Sequence, residues 1–327
     1  RRREAPGRPV HVVTTALDHN SVLRPLAALE AAGQAEVTRV PVEAETGAAA
    51  AADVVAALRP DTCLVAVNHA SNVTGAILDV AAIGAACRAR GVIFLVDAAQ
   101  SLGHCPLDVA EARIDLLAFP GHKGLLGPTG TGGLYIRPGI EDRLCTVREG
   151  GTGTRSEAEA HPQTMPDRFE PGSPNTVGIA GLSEAVGWML ERGIDGLRAH
   201  EAELTEALLE GLARLPGLRV PGPGARHRVG VVSMVHETLP ALELATILET
   251  SFGILGRAGL HCAPLAHRAL GTAPPGGGGA FRLSVGPFVS RADVNRAIEG
   301  VRAACGSAPT PPVAVARRPA PAGTIRR

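Results

Sequence analysis

The 327-residue chain has almost no lysine and very few aromatic residues. Lys123 is its only lysine, and the other 31 of its 32 basic residues are arginine. Aromatic residues make up 2%, which leaves no platform for stacking nucleobases. Formal net charge is zero, 32 basic against 32 acidic side chains, so the chain has no broad field to hold a polyanion. A general nucleic-acid binder is therefore excluded. The apolar runs are short and broken by charge, so none of them spans a bilayer. The six cysteines (Cys63, Cys87, Cys105, Cys145, Cys262 and Cys305) are scattered, with no CxxC pair. That pattern indicates neither a zinc site nor a disulfide framework, and it fits a reducing cytoplasm.

What is present is a hydrophobic content of 45% arranged in short runs. HVVTT from His11, TCLVAV from Thr62, GVIFLV from Gly91 and the run from Ile114 to Phe119 read as strands apolar on both faces. Segments of helical spacing separate them: Asn20 to Gly33, with Asn20 or Ser21 as its cap, Glu45 to Leu58, and Asp79 to Arg90. Buried strands alternating with helices describe a parallel or mixed sheet covered on both sides. Glu149 to Pro174 is rich in Gly, Pro and Thr and reads as a long loop. Thr176 to Gly211 reads as helical with a break at Gly193, and shorter strands and helices follow up to Cys305.

In open α/β sheets ligands bind at the carboxyl ends of the strands. Four polar residues stand there: His19 after VVTT, Asn72 after LVAV, Asp97 after IFLV, and Lys123 after LLAF. Arginine has replaced lysine everywhere but at Lys123, and guanidinium cannot act as a neutral amine nucleophile. Lys123 thus reads either as a carbonyl-attacking amine or as a surface lysine left over from a compositional bias. Asp97 reads either as a cap for a helix starting at Ala98 or as the partner of a protonated pyridine nitrogen. His19 reads as a capping, core or site histidine. Cys262 lies among Arg257, His261 and His267, cationic company that favours thiolate, whereas a lone cysteine is more often a buried apolar residue. A metal at this cluster lacks a fourth ligand of suitable spacing.

The runs SNVTGAILDV, VDAAQSLGHCPLDV and DLLAFPGHKGLLGPTGTGGLYI resemble the class V aminotransferase family of pyridoxal phosphate enzymes. GRAGLHCAPLAHRALGT, FRLSVGPFVSRADVNRAI, TTALDHNSVLRPL and RFEPGSPNTVGIAGL resemble its cysteine desulfurase and selenocysteine lyase branch. The likeness runs from about Val12 to Val301. It implies an α/β chain of pyridoxal phosphate fold type I. A large domain (residues 1–193) would carry a mixed, mostly parallel seven-stranded-type sheet flanked by helices. A smaller α+β domain (residues 194–305) would follow, then a disordered Pro/Ala/Arg tail (residues 306–327). The family has a segment with a phosphate-gripping turn ahead of the VVTT strand, so the large domain is expected to be N-terminally truncated. Where the family has a hydroxyl residue three positions before the lysine, this chain has Pro120.

The resemblance also implies roles. Lys123 would form the Schiff base and Asp97 would hold the pyridine nitrogen. Gln100 and Asn72 would sit near the ring oxygen, and Asn72 would also meet the substrate. His19 would stack on the ring and assist proton transfer. His122 would contact the phosphate, and Ser173 would reach the phosphate of the other subunit of a homodimer. Arg282 would hold the substrate carboxylate. Cys262 would accept sulfur from L-cysteine, or selenium from selenocysteine, and pass it to an acceptor protein. The implied activity is cysteine desulfuration. The alternatives are selenocysteine lyase, another class V aminotransferase or β-lyase, and a non-catalytic scaffold.

Overall fold

The structure is a computed structural model that describes residues 8–273 and 278–306. Most of the polar start and of the expected Pro/Ala/Arg tail lies outside the described residues. The first strand, β1 (Val10–Thr15), leads through α1 (Asn20–Ala31) to β2 (Ala35–Val40), and both strands run parallel in register from Val10 opposite Ala35. A short helix, α2 (Ala51–Ala56), returns the chain to β3 (Thr62–Asn68), on the other side of β1. Helix α3 (Val80–Ala89) then leads to β4 (Ile93–Asp97). β5 (Leu116–Pro120) is parallel to β4, and β6 (Gly132–Ile136) is antiparallel to β5. The strand order is β2-β1-β3-β4-β5-β6, so six strands of the expected seven-stranded-type sheet fall among the described residues.

Two local expectations need correction. Helix α1 is capped by His19, not by Asn20 or Ser21: the His19 Nδ1 accepts from the Ser21 N–H at 3.1 Å. The helix expected from Glu45 begins only at Ala51. Residues 43–48 close a turn instead, with Thr46 Oγ1 donating to Glu43 and the Gly47 carbonyl accepting from Thr74 Oγ1 at 2.8 Å. A run of alanines favours helix, but a hydroxyl–carboxylate turn and a long-range partner override it.

The long loop through Glu149–Pro174 holds no helix or strand, as expected. Helices α4 (Thr176–Arg192) and α5 (Ile194–Ala213) follow, broken at Gly193, whose φ of +78° is a glycine conformation. The chain then builds an antiparallel sheet of β7 (Leu218–Arg219), β8 (Val231–His236), β9 (Arg257–Gly259) and β10 (Ala280–Ser284), in the order β7-β8-β10-β9. Helices α6 (Ala241–Phe252), α7 (Pro264–Ala269) and α8 (Arg291–Gly306) accompany it.

Each sheet has its own apolar core. Val13, Val65, Phe94, Val96, Ile83 and Ile114 build the first, and Leu208, Leu212, Met234, Leu248, Phe281 and Val301 build the second. Helix α7 belongs to the first core. It follows β9 in sequence, yet Ala263, Ala266 and Leu270 pack into the first core. The loop carrying Cys262 is thereby seated against the parallel sheet.

Gly84 shows how closely α3 packs on that sheet. A Cβ there would lie 2.0 Å from the Ala112 carbonyl oxygen and 3.2 Å from the Phe94 ring. Alanine is the better helix former by about 1 kcal/mol, but overpacking against backbone costs about 1–3 kcal/mol or more. The clash wins. Gly84→Ala is expected to lower the urea unfolding midpoint at unchanged slope, a loss of about 1–2 kcal/mol, and a raised midpoint would refute this packing.

Candidate active site

The carboxyl ends of the parallel strands open into a cavity of about 760 Å³, within the range of small-molecule sites. His19, Asn72, Asp97 and Lys123, expected at four strand ends, all line it, together with Gln100 and His122. The reason is topological. Crossover connections return every parallel strand in the same direction, so the loops that follow β1, β3, β4 and β5 all emerge on one side.

Each side chain is placed by its own local device. Asp97 ends β4, opposite Asn68 on β3, and its Oδ1 accepts from the Ala99 N–H at 2.9 Å. The segment after it is a series of turns, so Asp97 caps no helix. Lys123 follows β5 on a turn closed by Gly121 N–H to Thr131 O at 2.8 Å and Leu126 N–H to Lys123 O at 2.9 Å. A Cβ on Gly121 would meet Thr131 Oγ1 at 2.1 Å, so a larger residue there would have to displace the Thr131 side chain. Lys123 is exposed at the cavity mouth. Desolvation by the walls lowers its pKa from the ordinary lysine value, with Arg282 and Arg257 acting in the same direction and Asp97 and Cys262 opposing. His19 is also lowered, first by burial, then by the charges of Lys123 and nearby arginines.

Cys262 is not among the cavity-lining residues, but it is tied to the cavity from three directions. Arg257 lines the cavity, and its Nη2 lies 3.7 Å from Cys262 Sγ. The Cys262 carbonyl accepts from the Asn20 N–H, beside His19, at 2.8 Å. The carbonyl of the preceding residue, His261, accepts from Asn72 Nδ2 at 2.6 Å. The Asn72 carbonyl in turn accepts from Arg282 Nη1 at 2.7 Å. Arg282 and Arg257 stand opposite each other on β10 and β9. Two guanidinium groups in cross-strand register repel unless an anion joins them. Cys262 itself is exposed, and its φ of +58° follows one of +50° at His261. Ser173 is exposed in the long loop and does not line the cavity.

Sequence reasoning named Arg257 only as a neighbour of Cys262. Its place in the cavity wall was foreshadowed by the R-x-G-x-H-C spacing, which puts Arg257 on a short strand and Cys262 on the turn after it. Asp18 was missed altogether. It is fully buried, and its Oδ2 accepts from Thr14 Oγ1, Thr15 N and Thr15 Oγ1 at 2.7–2.8 Å, while Oδ1 accepts from Asn68 N at 2.6 Å.

The cavity suits pyridoxal phosphate. Asp97 offers a carboxylate for a protonated ring nitrogen, Lys123 offers a primary amine for the aldehyde, and His19 offers a flat partner. Asn72 Oδ1 is buried without a hydrogen-bond partner, an acceptor that an incoming donor would satisfy. Among the described residues no cluster of His, Cys, Asp and Glu is arranged to hold a metal ion. No helix among them is long and apolar enough to cross a membrane.

Known proteins resemble this chain in sequence and in fold. A family model for class-V aminotransferases matches residues 3–297. A probable cysteine desulfurase of Halalkalibacterium halodurans is 35% identical over 254 residues, which cover 77% of this chain and 61% of that protein. A cysteine desulfurase of Pectobacterium atrosepticum is 32% identical over 296 residues, covering 89% of this chain and 70% of that one. The apo structure of a cysteine desulfurase from Thermococcus onnurineus matches with a TM-score of 0.84 and 31% identity, over 91% of this chain and 73% of the other. The chain thus spans less than two thirds of the length of the Halalkalibacterium protein.

Three buried histidines around this site give a pH dependence. Burial holds His69, His261 and His267 each down to about 4, whereas unfolded histidine titrates near 6.5. Between those values the unfolded chain binds more protons, so lowering the pH favours unfolding. Asp18, pushed up to about 6 by burial, acts in the opposite sense below that pH. Three groups outweigh one. Stability is expected to be greatest above pH 6.5 and to fall toward pH 4 by about 1.4 kcal/mol per pH unit for each net proton, read as a falling melting temperature. A flat profile across that window, read by calorimetry, would contradict neutral buried imidazoles.

Proposed function

Because the chain belongs to the class V aminotransferase family, we propose that it is a pyridoxal-phosphate-dependent cysteine desulfurase, converting L-cysteine to L-alanine and holding the sulfur as a persulfide on Cys262. The observation that carries this reading is the meeting of Lys123, Asp97 and His19 in one cavity with a thiol tethered to its wall through Arg257 and Asn72. The names of the relatives support it. A cytoplasmic location, a homodimer in which Ser173 reaches the partner's phosphate group, and a separate acceptor protein belong to the same reading. So does a division into domains at Gly193.

Pyridoxal phosphate, when bound, supplies a ring that withdraws electrons from the Cα of an attached amino acid. The residues of the chain do the rest. Lys123 Nζ holds the cofactor through its aldehyde, and its lowered pKa keeps a larger share of neutral amine than an ordinary lysine. Nζ would also be the base that takes the proton from Cα. Asp97 holds the proton on the ring nitrogen. Gln100 and Asn72 would orient the ring oxygen, His19 would cover the ring face, and His122 would meet the phosphate. Arg282 takes the substrate carboxylate with its guanidinium. Cys262 Sγ, as thiolate, attacks the substrate sulfur. A sulfur–sulfur bond would form as the carbon–sulfur bond breaks; Cβ would take the electron pair and the proton that the Cys262 thiol gave up, and Lys123 Nζ would return its proton to Cα to complete alanine. The sum is one cysteine and one thiol in, one alanine and one persulfide out.

The expected outcome with L-cysteine and added pyridoxal phosphate is equimolar alanine and transferable sulfur. Cys262→Ala is expected to lower sulfur transfer at least about 100-fold while leaving the cofactor's absorbance in place. Lys123→Ala is expected to abolish both that absorbance and alanine formation. Full transfer to a protein acceptor by Cys262→Ala would move the assignment to another class V reaction. No cofactor absorbance in the wild-type chain would support a scaffold.

A further inference from the structure

We propose that Thr272, His267 and His261 form a one-directional hydrogen-bond relay that positions the Cys262 thiol against Arg257. The proposal rests on the reading of Cys262 as sulfur acceptor, but its geometry is independent of it. Three contacts build the relay. His261 Nε2 lies 3.0 Å from the Arg257 carbonyl oxygen, His261 Nδ1 lies 3.2 Å from His267 Nε2, and His267 Nδ1 lies 2.7 Å from Thr272 Oγ1.

The proton positions follow from one end. A carbonyl oxygen only accepts, so His261 Nε2 must carry hydrogen. A neutral His261 then has a bare Nδ1, which must accept from His267 Nε2–H. A neutral His267 has a bare Nδ1 in turn, which must accept from the Thr272 hydroxyl. Every donor meets an acceptor, and both rings are neutral. The reverse direction puts a bare Nε2 against a carbonyl oxygen. His267 is 0% exposed, and His261 and Thr272 are 3% exposed, so solvent cannot repair a mismatch. Burial also holds both imidazoles down to about 4, which keeps them neutral at physiological pH.

The relay has something to hold. His261 and Cys262 are consecutive non-glycine residues in the left-handed region, a conformation that is strained at both positions. His267 sits on α7, whose Ala266 is packed in the core of the parallel sheet, so the relay's fixed end is rigid. Its other end is the main chain of Arg257, the residue whose guanidinium reaches Cys262 Sγ. One chain of three hydrogen bonds therefore sets both the strained turn that carries the thiol and the strand that carries its cation. His261, His267 and Thr272 touch no reacting atom in this scheme; they are positioning residues.

The direct test is long-range proton–nitrogen NMR on the protein loaded with cofactor and labelled with 15N-histidine. Both His261 and His267 are expected to show protonated Nε2 and bare Nδ1 at pH 7. Protonated Nδ1 on either ring overturns the proposal. The second test compares His267→Gln, whose amide offers both a donor and an acceptor, with His267→Leu, which offers neither. His267→Leu is expected to lower the iodoacetamide alkylation rate at the Cys262 peptide and kcat for sulfur transfer by about tenfold each, with KM for cysteine and cofactor absorbance unchanged. His267→Gln is expected to stay within about threefold of wild type. If His267→Leu does not fold, the NMR result and His267→Gln still decide. Wild-type alkylation and transfer in a folded His267→Leu would sink the relay while leaving the desulfurase reading intact. Full sulfur transfer by Cys262→Ala would sink that reading without altering the NMR result.

Discussion

The arrangement of the site depends on a carboxylate that takes no part in the proposed chemistry. Asp18 is fully buried at the end of β1 and binds four donors from two strands. A buried carboxylate without partners would be very costly, so its donors are not free to move. Thr14 and Thr15 are held at the end of β1, and Asn68 N–H is held at the end of β3. His19 is the next residue, and Asn68 faces Asp97 across the β3–β4 pair. One ion thus fixes the spacing between the imidazole and the second carboxylate. Burial raises its pKa to about 6 against the lowering effect of all four hydrogen bonds.

A second set of contacts ties the antiparallel sheet to the parallel one. Arg282 Nη1 donates to Asn72 O, Asn72 Nδ2 donates to His261 O, and Ser233 Oγ donates to Val73 O at 2.6 Å. His104 Nδ1 meets Glu201 Oε2 at 2.5 Å, while the other oxygen of Glu201 takes the Gly230 N–H at 2.7 Å. His104 also stands over Gly124, the residue after Lys123. These are polar, directional contacts, unlike the apolar packing inside each core. They set where Arg282 and Cys262 stand relative to Lys123, which area burial alone would leave unspecified.

Much of this was legible in the sequence, and the division follows physics. Strands β1, β3 and β4 are apolar on both faces, so their runs announce them, although β4 buries one face fully and the other only in part. The polar residues just past their ends line the cavity for the same topological reason that any parallel sheet has one functional edge. The single lysine stood out because arginine cannot replace a neutral amine. The features that escaped are those fixed by distant partners. Strand β7 has two residues and β9 has three, too short for a period to show. Asp18 reads as one more polar residue until its four donors arrive from Thr14, Thr15 and Asn68. His267 lies only six positions from His261, but their contact needs α7 to turn back on the strained turn.

The two functional ends of the cavity are built on opposite terms. Lys123 stands exposed on a glycine turn with no hydrogen bond to its Nζ among the described residues, free to leave one partner for another. Cys262 sits on a left-handed backbone locked from below by buried neutral groups. A displaced amine needs freedom, because it must first hold the cofactor and then reach Cα. A sulfur nucleophile needs the reverse, since in-line attack on sulfur tolerates little error in angle and a small misplacement costs orders of magnitude in rate. Neutral imidazoles serve that end better than charged ones would. A cationic His261 would compete with Arg257 for the thiolate and vary with pH, whereas guanidinium stays charged throughout. Burying the histidines thus separates the positioning of the thiol from its electrostatic support, and leaves the latter to a group that does not titrate.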